Sequence, residues 1–165
     1  MGEENAVPDA ITHLAVGFIA SDLRGYDKAV FLLGSMLPDA KVLSSLLAPF
    51  LADQARYALF YAFDAPVVSI PLALVVSSLF RDRMKVFVYM LYAILLHLGL
   101  DLLQYKFGGG VALFYPASPA RFSAGLFWQD SWIPTVVAVM AVVILVWYRQ
   151  AHGQPGAGGR LGRLC

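Results

Sequence analysis

The run from Val86 to Tyr105, VFVYMLYAILLHLGLDLLQY, constrains this chain more than any other stretch. It is apolar for long enough to cross a bilayer, which takes about 20 residues of helix. Yet near its C-terminal end it carries His97 and Asp101, four residues apart. On an α-helix that spacing places both side chains on one face, a turn apart. A charged group at the centre of a membrane helix costs about 2.5–3.5 kcal/mol on insertion scales, so such a pair marks a functional site by default. A His and a carboxylate one turn apart can share a metal ion, as the helical ligand pairs of metalloproteases do.

Composition agrees with a membrane setting. Of 165 residues, 59% are hydrophobic and 14% charged. Mean hydropathy is +0.68. A soluble fold of this size could not cover that much apolar surface. The length suits one domain, expected over residues 1–148 with a flexible, basic, Gly-rich tail over 149–165. The net charge of +1 gives no reason to expect a nucleic-acid partner. The single cysteine, Cys165, excludes an internal disulfide and a thiolate zinc cluster. The acidic start MGEENAVPDA does not read as a secretory signal, and Ala6 stands where myristoylation needs Ser or Thr. The expectation is that the chain's own helices direct its insertion.

The expected fold class is all-α: a polytopic membrane bundle of about three full spans with shorter N-terminal membrane or interfacial helices. Residues 5–22 read as a short helix, with Pro8 tolerated in its first turn, Asp9 suited to the positive end of its dipole, and His13 on its apolar side. Residues 29–37 are too short to cross alone and end at Pro38-Asp39, while Gly34 and Ser35 favour close helix packing. Residues 41–63 mix apolar groups with Pro49, Asp53 and Arg56, and read as an interfacial helix with an Asp53–Arg56 pair. The expected spans are 65–80, the central run 86–105, and 132–148, the last with aromatic residues at both ends. Residues 81–85 read as a basic hairpin loop, and 106–131 as a loop with a short partial helix. Asp9, Asp22 and Asp27 read as ordinary solvated termini or turns, and His152 as inert.

Basic residues set an expected orientation. Arg81, Arg83 and Lys85 in one loop, and Arg149, Arg160 and Arg163 in the tail, place both segments in the cytoplasm by the positive-inside rule. The chain is then expected in a plasma or inner membrane with its C-terminus cytoplasmic. Asp64, the His97/Asp101 end of the central helix, and Asp130 all fall toward the opposite face. Lys106 and Arg121 lie on that outer side and reduce the charge bias.

The candidate metal ligands are His13, Asp39, Asp64, His97, Asp101 and Asp130. Imidazole with carboxylates suits zinc first, with manganese or magnesium as alternatives. Such a centre, with one ion or two, suits hydrolysis. Each residue also has a plainer role: His97 as an interhelical hydrogen-bond partner, Asp101 as the partner of Lys106 or Arg56, and Asp39, Asp64 and Asp130 as helix caps. The glycines 108–110 lack the Lys-Ser/Thr of a phosphate loop, and no Gly-x-Ser-x-Gly elbow is present.

Several of these pieces occur in a characteristic order: Thr12-His13, then Gly34-Ser35-Met36-Leu37-Pro38-Asp39, then His97-Leu98-Gly99-Leu100-Asp101, then Gly110-Val111 through Tyr115-Pro116 and Phe122-Ser123. Over residues 10–131 the chain resembles the predicted membrane-bound metal-dependent hydrolases, also described as LexA-binding inner-membrane-associated (YdjM-like) hydrolases. That resemblance implies a metal held by His13, Asp39, His97 and Asp101. The chain departs from the family pattern in one place. No His-Arg…Thr-His-Ser stretch lies between the Pro-Asp and His-x-x-x-Asp elements, and Asp64 is the nearest substitute.

The expected function is hydrolysis of a lipid ester or phosphoester at a metal site near the non-cytoplasmic face. Asp64 would complete the site or act as general base, and Arg121 would meet an anionic headgroup or anchor at the interface. The alternative is a non-catalytic scaffold or assembly subunit with a vestigial or structural polar site. Expected partners are membrane lipid and a second copy or another membrane protein. A proton or solute pathway ranks last, because the cytoplasmic halves of the spans carry almost no polar groups.

Overall fold

A computed structural model describes residues 7–41, 50, 62, 65–106, 109–128 and 130–153. Among them the chain is mostly helical. Helix α1 runs Val7–Arg24 and α2 runs Lys28–Met36, followed by a 3-10 turn over Pro38–Lys41. Helices α3, Pro66–Ser77, and α4, Arg83–Leu103, form a hairpin, and α5 runs Trp132–Ala151.

The organising element is α4. Its buried positions are Val86, Met90, Ala93, Ile94, His97, Leu98 and Asp101, a stripe at the three-and-four spacing of one helix face. The lower part of the stripe makes the core with Val30, Leu37, Ala73 and Val111. His97 and Asp101 continue the same stripe at its upper end, so the packing that buries the core also buries the site.

The neighbouring helices are held to α4 by local features of sequence. The α1–α2 turn passes through Gly25 at φ +67°, a conformation glycine adopts without strain. Asp27 then caps α2 by accepting from the Val30 amide at 3.1 Å. Gly34 lets α2 lie directly on α4, since a Cβ there would stand 2.7 Å from the Met90 Cα. Tyr26 stacks against Phe31 and meets Tyr89 and Tyr92 of α4. Thr12 and Thr135 hydroxyls hydrogen-bond at 2.8 Å, while Arg149 reaches Asp22 at 2.6 Å, so α1 and α5 run parallel.

These contacts give the bundle two distinct ends. The starts of α1, α3 and α5 and the ends of α2 and α4 share one end. The other end gathers Arg24, Lys28, Arg81, Arg83, Lys85 and Arg149.

Among the described residues, two helices are long and apolar enough to cross a membrane, α4 and α5. The third span expected at 65–80 is not one: α3 has 12 residues, about 18 Å of helix, and gives way to turns at Ser78. Three further expectations need correction. Arg83–Lys85 belong to α4, and Arg149–Ala151 complete α5 instead of opening a flexible tail. Asp22 is not solvated but 3% exposed, with Lys28 Nζ at 2.7 Å and Arg149 Nε at 2.6 Å on its two oxygens. Asp27 is likewise buried.

The segment after α4 has no helix among its described residues. Gln104–Tyr105 pairs in parallel with Phe127–Trp128, and Val111 bridges Phe122. Gly110, at φ +109°, allows this return, because a Cβ would collide with the Phe122 carbonyl. The expected Asp53–Arg56 pair, Asp64 and the chain beyond 153 lie outside the described residues.

Candidate metal centre

Two helices bring four of the site's side chains together, two from each. From α4 come His97 and Asp101; from α1 comes His13, with Asp9 one turn before it. The His13 and His97 rings stack at 3.7 Å between centroids and 14° from parallel. Both present Nε2 to the Asp101 carboxylate: His13 to Oδ1 at 3.1 Å, His97 to Oδ2 at 3.5 Å. Ligand atoms of His13, His97 and Asp101 all lie within 4.8 Å of one another, and all three residues are buried.

The tautomer of His97 follows from its surroundings. Its Nδ1 lies 2.6 Å from the Ser35 carbonyl oxygen, which can only accept, so Nδ1 carries the proton and donates. The Nε2 of a neutral ring therefore turns a lone pair toward a carboxylate, which is repulsive unless a cation stands between them. His13 Nε2 has a related problem, with Asp9 Oδ1 at 3.0 Å and Asp101 Oδ1 at 3.1 Å. One N–H cannot point straight at two oxygens, whereas a metal ion attracts both. Zinc bonds of about 2.0–2.2 Å put neighbouring tetrahedral ligands about 3.3 Å apart, close to the 3.1 and 3.5 Å from the two Nε2 atoms to the Asp101 oxygens, within a set spread over up to 4.8 Å. The donor set fits a divalent ion. The His97-to-carbonyl contact is the kind of outer support that orients metal-ligating histidines.

The surroundings add charge of both signs. Lys106 Nζ sits 2.6 Å from Asp101 Oδ2, forming a buried ion pair of the kind anticipated between these two residues. Asp39, in the 3-10 turn, brings Oδ1 to 3.9 Å from His97 Nε2, and its side chain is 19% exposed. Gln104 is 2% exposed. It donates from Nε2 to Asp9 Oδ1, and its backbone carbonyl accepts from the Ser123 hydroxyl. Three buried atoms here have no hydrogen-bond partner among the described residues: His13 Nδ1, Gln104 Oε1 and Asp101 Oδ2, the last met by the Lys106 ammonium as an ion pair.

Of the residues anticipated from sequence, the structure brings together His13, His97 and Asp101, with Asp39 at the rim. It does not bring Asp130 to them: that residue is exposed on the turn before α5, and Ser131 makes the cap, accepting from the Ile133 amide. Asp64 lies outside the described residues. Asp9, expected as a solvated helix start, is instead largely buried against His13, at the same spacing as His97 and Asp101. Gln104 carried no signal in the sequence. A comparison of the chain with protein-family models, with curated proteins and with solved structures finds no match.

Proposed function

We propose that the chain is an integral membrane protein with a divalent-metal centre at its non-cytoplasmic side, and that this centre hydrolyses an ester or phosphoester of a membrane lipid. The observation that carries the proposal is the closure of His13, His97 and Asp101 on one buried point within 4.8 Å. Three such side chains are costly to bury in an apolar bundle without a cation to bind. The sequence resemblance to membrane-bound metal-dependent hydrolases points the same way.

A membrane setting is supported by α5, whose most apolar stretch is only 11% buried. Val136, Val137, Met140, Val143 and Ile144 all face outward, with Trp132 at one end and Trp147 and Tyr148 at the other. That is the pattern of a lipid-facing helix with aromatic belts. We take α4 and α5 as crossings and α1, 18 residues long and packed along α5, as the third. The basic end of the bundle is then cytoplasmic, together with the end of α5. His97 lies 14 residues above Arg83, about 21 Å up the helix, which puts the site in the outer part of the bilayer.

In this reading His13, His97 and Asp101 hold the ion, through Nε2 of each ring and the carboxylate. A divalent ion supplies Lewis acidity, polarising the oxygen of the bond to be cut and acidifying water. Asp39, partly exposed at the rim, accepts a proton from the attacking water.

One observation favours a second reading. The Lys106 ammonium already neutralises Asp101 at 2.6 Å, which suits a structural polar cluster in a scaffold or assembly subunit. Turnover separates the two. Purified protein in phospholipid micelles with zinc or manganese should release fatty acid or headgroup, and His97→Ala should abolish release. Metal binding without release from any phospholipid class would favour the scaffold.

A further inference from the structure

Resting on that metal-centre reading, we infer that Asp9 is a fourth protein ligand of the centre and that Gln104 is the residue that positions it. The two histidine–aspartate pairs are built alike. On α4, His97 and Asp101 are one turn apart; on α1, Asp9 and His13 are one turn apart, with the order reversed because the helices run in opposite directions. His13 Nε2 lies equally close to both carboxylates, 3.0 Å from Asp9 Oδ1 and 3.1 Å from Asp101 Oδ1. Asp9 stands outside the 4.8 Å set formed by His13, His97 and Asp101, so it would complete the centre by turning its side chain toward an ion engaged on His13.

Two features separate Asp9 from a solvated first-turn carboxylate. Its side chain is only 14% exposed. Its Oδ1 also accepts from Gln104 Nε2, which fixes the orientation of the amide, since the reverse would set oxygen against oxygen. Gln104 is itself anchored, with its backbone carbonyl accepting from Ser123 and its strand pairing with Phe127–Trp128. The covering segment thus holds Asp9 against His13. The buried, unpartnered His13 Nδ1 is consistent with a ring whose orientation is set from the Nε2 side.

The test is zinc titration of the full chain in detergent, comparing wild type with Asp9→Asn, Asp9→Ala, Gln104→Leu and Asp101→Asn, with helicity followed by circular dichroism. Asp9→Asn is isosteric and keeps the fold accessible. We expect Asp9→Asn and Asp9→Ala to weaken zinc at least tenfold. Gln104→Leu should weaken it about tenfold, in the range seen for outer-shell partners of metal ligands. Cobalt(II) in place of zinc adds a direct readout, because losing a carboxylate ligand shifts the visible bands whereas losing a merely structural carboxylate does not. Unchanged affinity and cobalt spectrum in both Asp9 variants, with zinc lost in Asp101→Asn, would overturn the role of Asp9 and leave the centre standing. Wild type that binds no zinc would overturn the centre itself, and this inference with it.

Discussion

His97 donates its Nδ1 proton to the Ser35 carbonyl across 2.6 Å, tying its ring on α4 to the last turn of α2. The contact depends on how closely the two helices approach, and that depends on Gly34, one residue earlier. Close packing, ring orientation and the direction of the His97 Nε2 lone pair are therefore one property of the α2–α4 crossing.

Gly34→Ala should disturb all three together. The added Cβ would stand 2.7 Å from the Met90 Cα, a backbone atom that cannot swing aside. Overpacking of this kind costs about 1–3 kcal/mol. We expect a lower melting temperature in detergent and weaker zinc binding from the same substitution. Gly99→Ala is the control, because a Cβ there meets nothing within 4 Å.

Lys106→Met separates the two readings of the cluster. Removing one partner of a buried ion pair typically costs about 3–5 kcal/mol, because the other charge is left uncompensated. The metal reading predicts that the variant is destabilised without metal and recovers on adding zinc, which takes over the neutralisation of Asp101. A scaffold without metal affinity would show the loss and no recovery.

On the metal-centre reading, protons and metal compete for the same nitrogens: the ion would need the Nε2 lone pairs of His13 and His97, so protonating either ring would oppose binding. Zinc should bind more weakly at about pH 5.5 than at about pH 7.5, with protons released on binding. A constant independent of pH over that interval would exclude imidazole ligands.

Far from the site, Asp22 ties α1 to Lys28 and Arg149. The Arg149 guanidinium also donates to the Asp22 carbonyl at 3.3 Å, and Lys28 lies 4.3 Å over the Phe18 ring. Asp22→Ala strands both cations, and removing one partner of a buried ion pair typically costs about 3–5 kcal/mol. Thermal unfolding in detergent should show a loss of about 3 kcal/mol, with zinc affinity of the surviving folded protein unchanged.

The central helix and its His97/Asp101 pair were legible because two ionisable residues at helical spacing stand out in an apolar run. Asp9 carried the same spacing to His13, but beside Pro8 and the acidic start it read as dipole compensation. Only the α1–α4 packing shows that the Asp9–His13 pair is set against His97 and Asp101. The apolar run 65–80 suggested a span because hydropathy does not register where a helix stops. Pro66 starts α3, and after 12 residues Ser77 and Ser78 turn their hydroxyls back onto the carbonyls of Leu74 and Val75. The Gln104–Tyr105 and Phe127–Trp128 pairing joins residues more than twenty apart in two-residue strands. No local pattern announces such a pairing.

The most direct measurement is the metal content of detergent-purified protein by elemental analysis, wild type beside the His97→Ala/Asp101→Ala double variant. The account predicts about one equivalent of zinc or manganese in the wild type, absent from the double variant while its helicity is retained. No metal in either protein, with both folded and supplied with metal during purification, would contradict the metal centre and leave a structural polar cluster in its place.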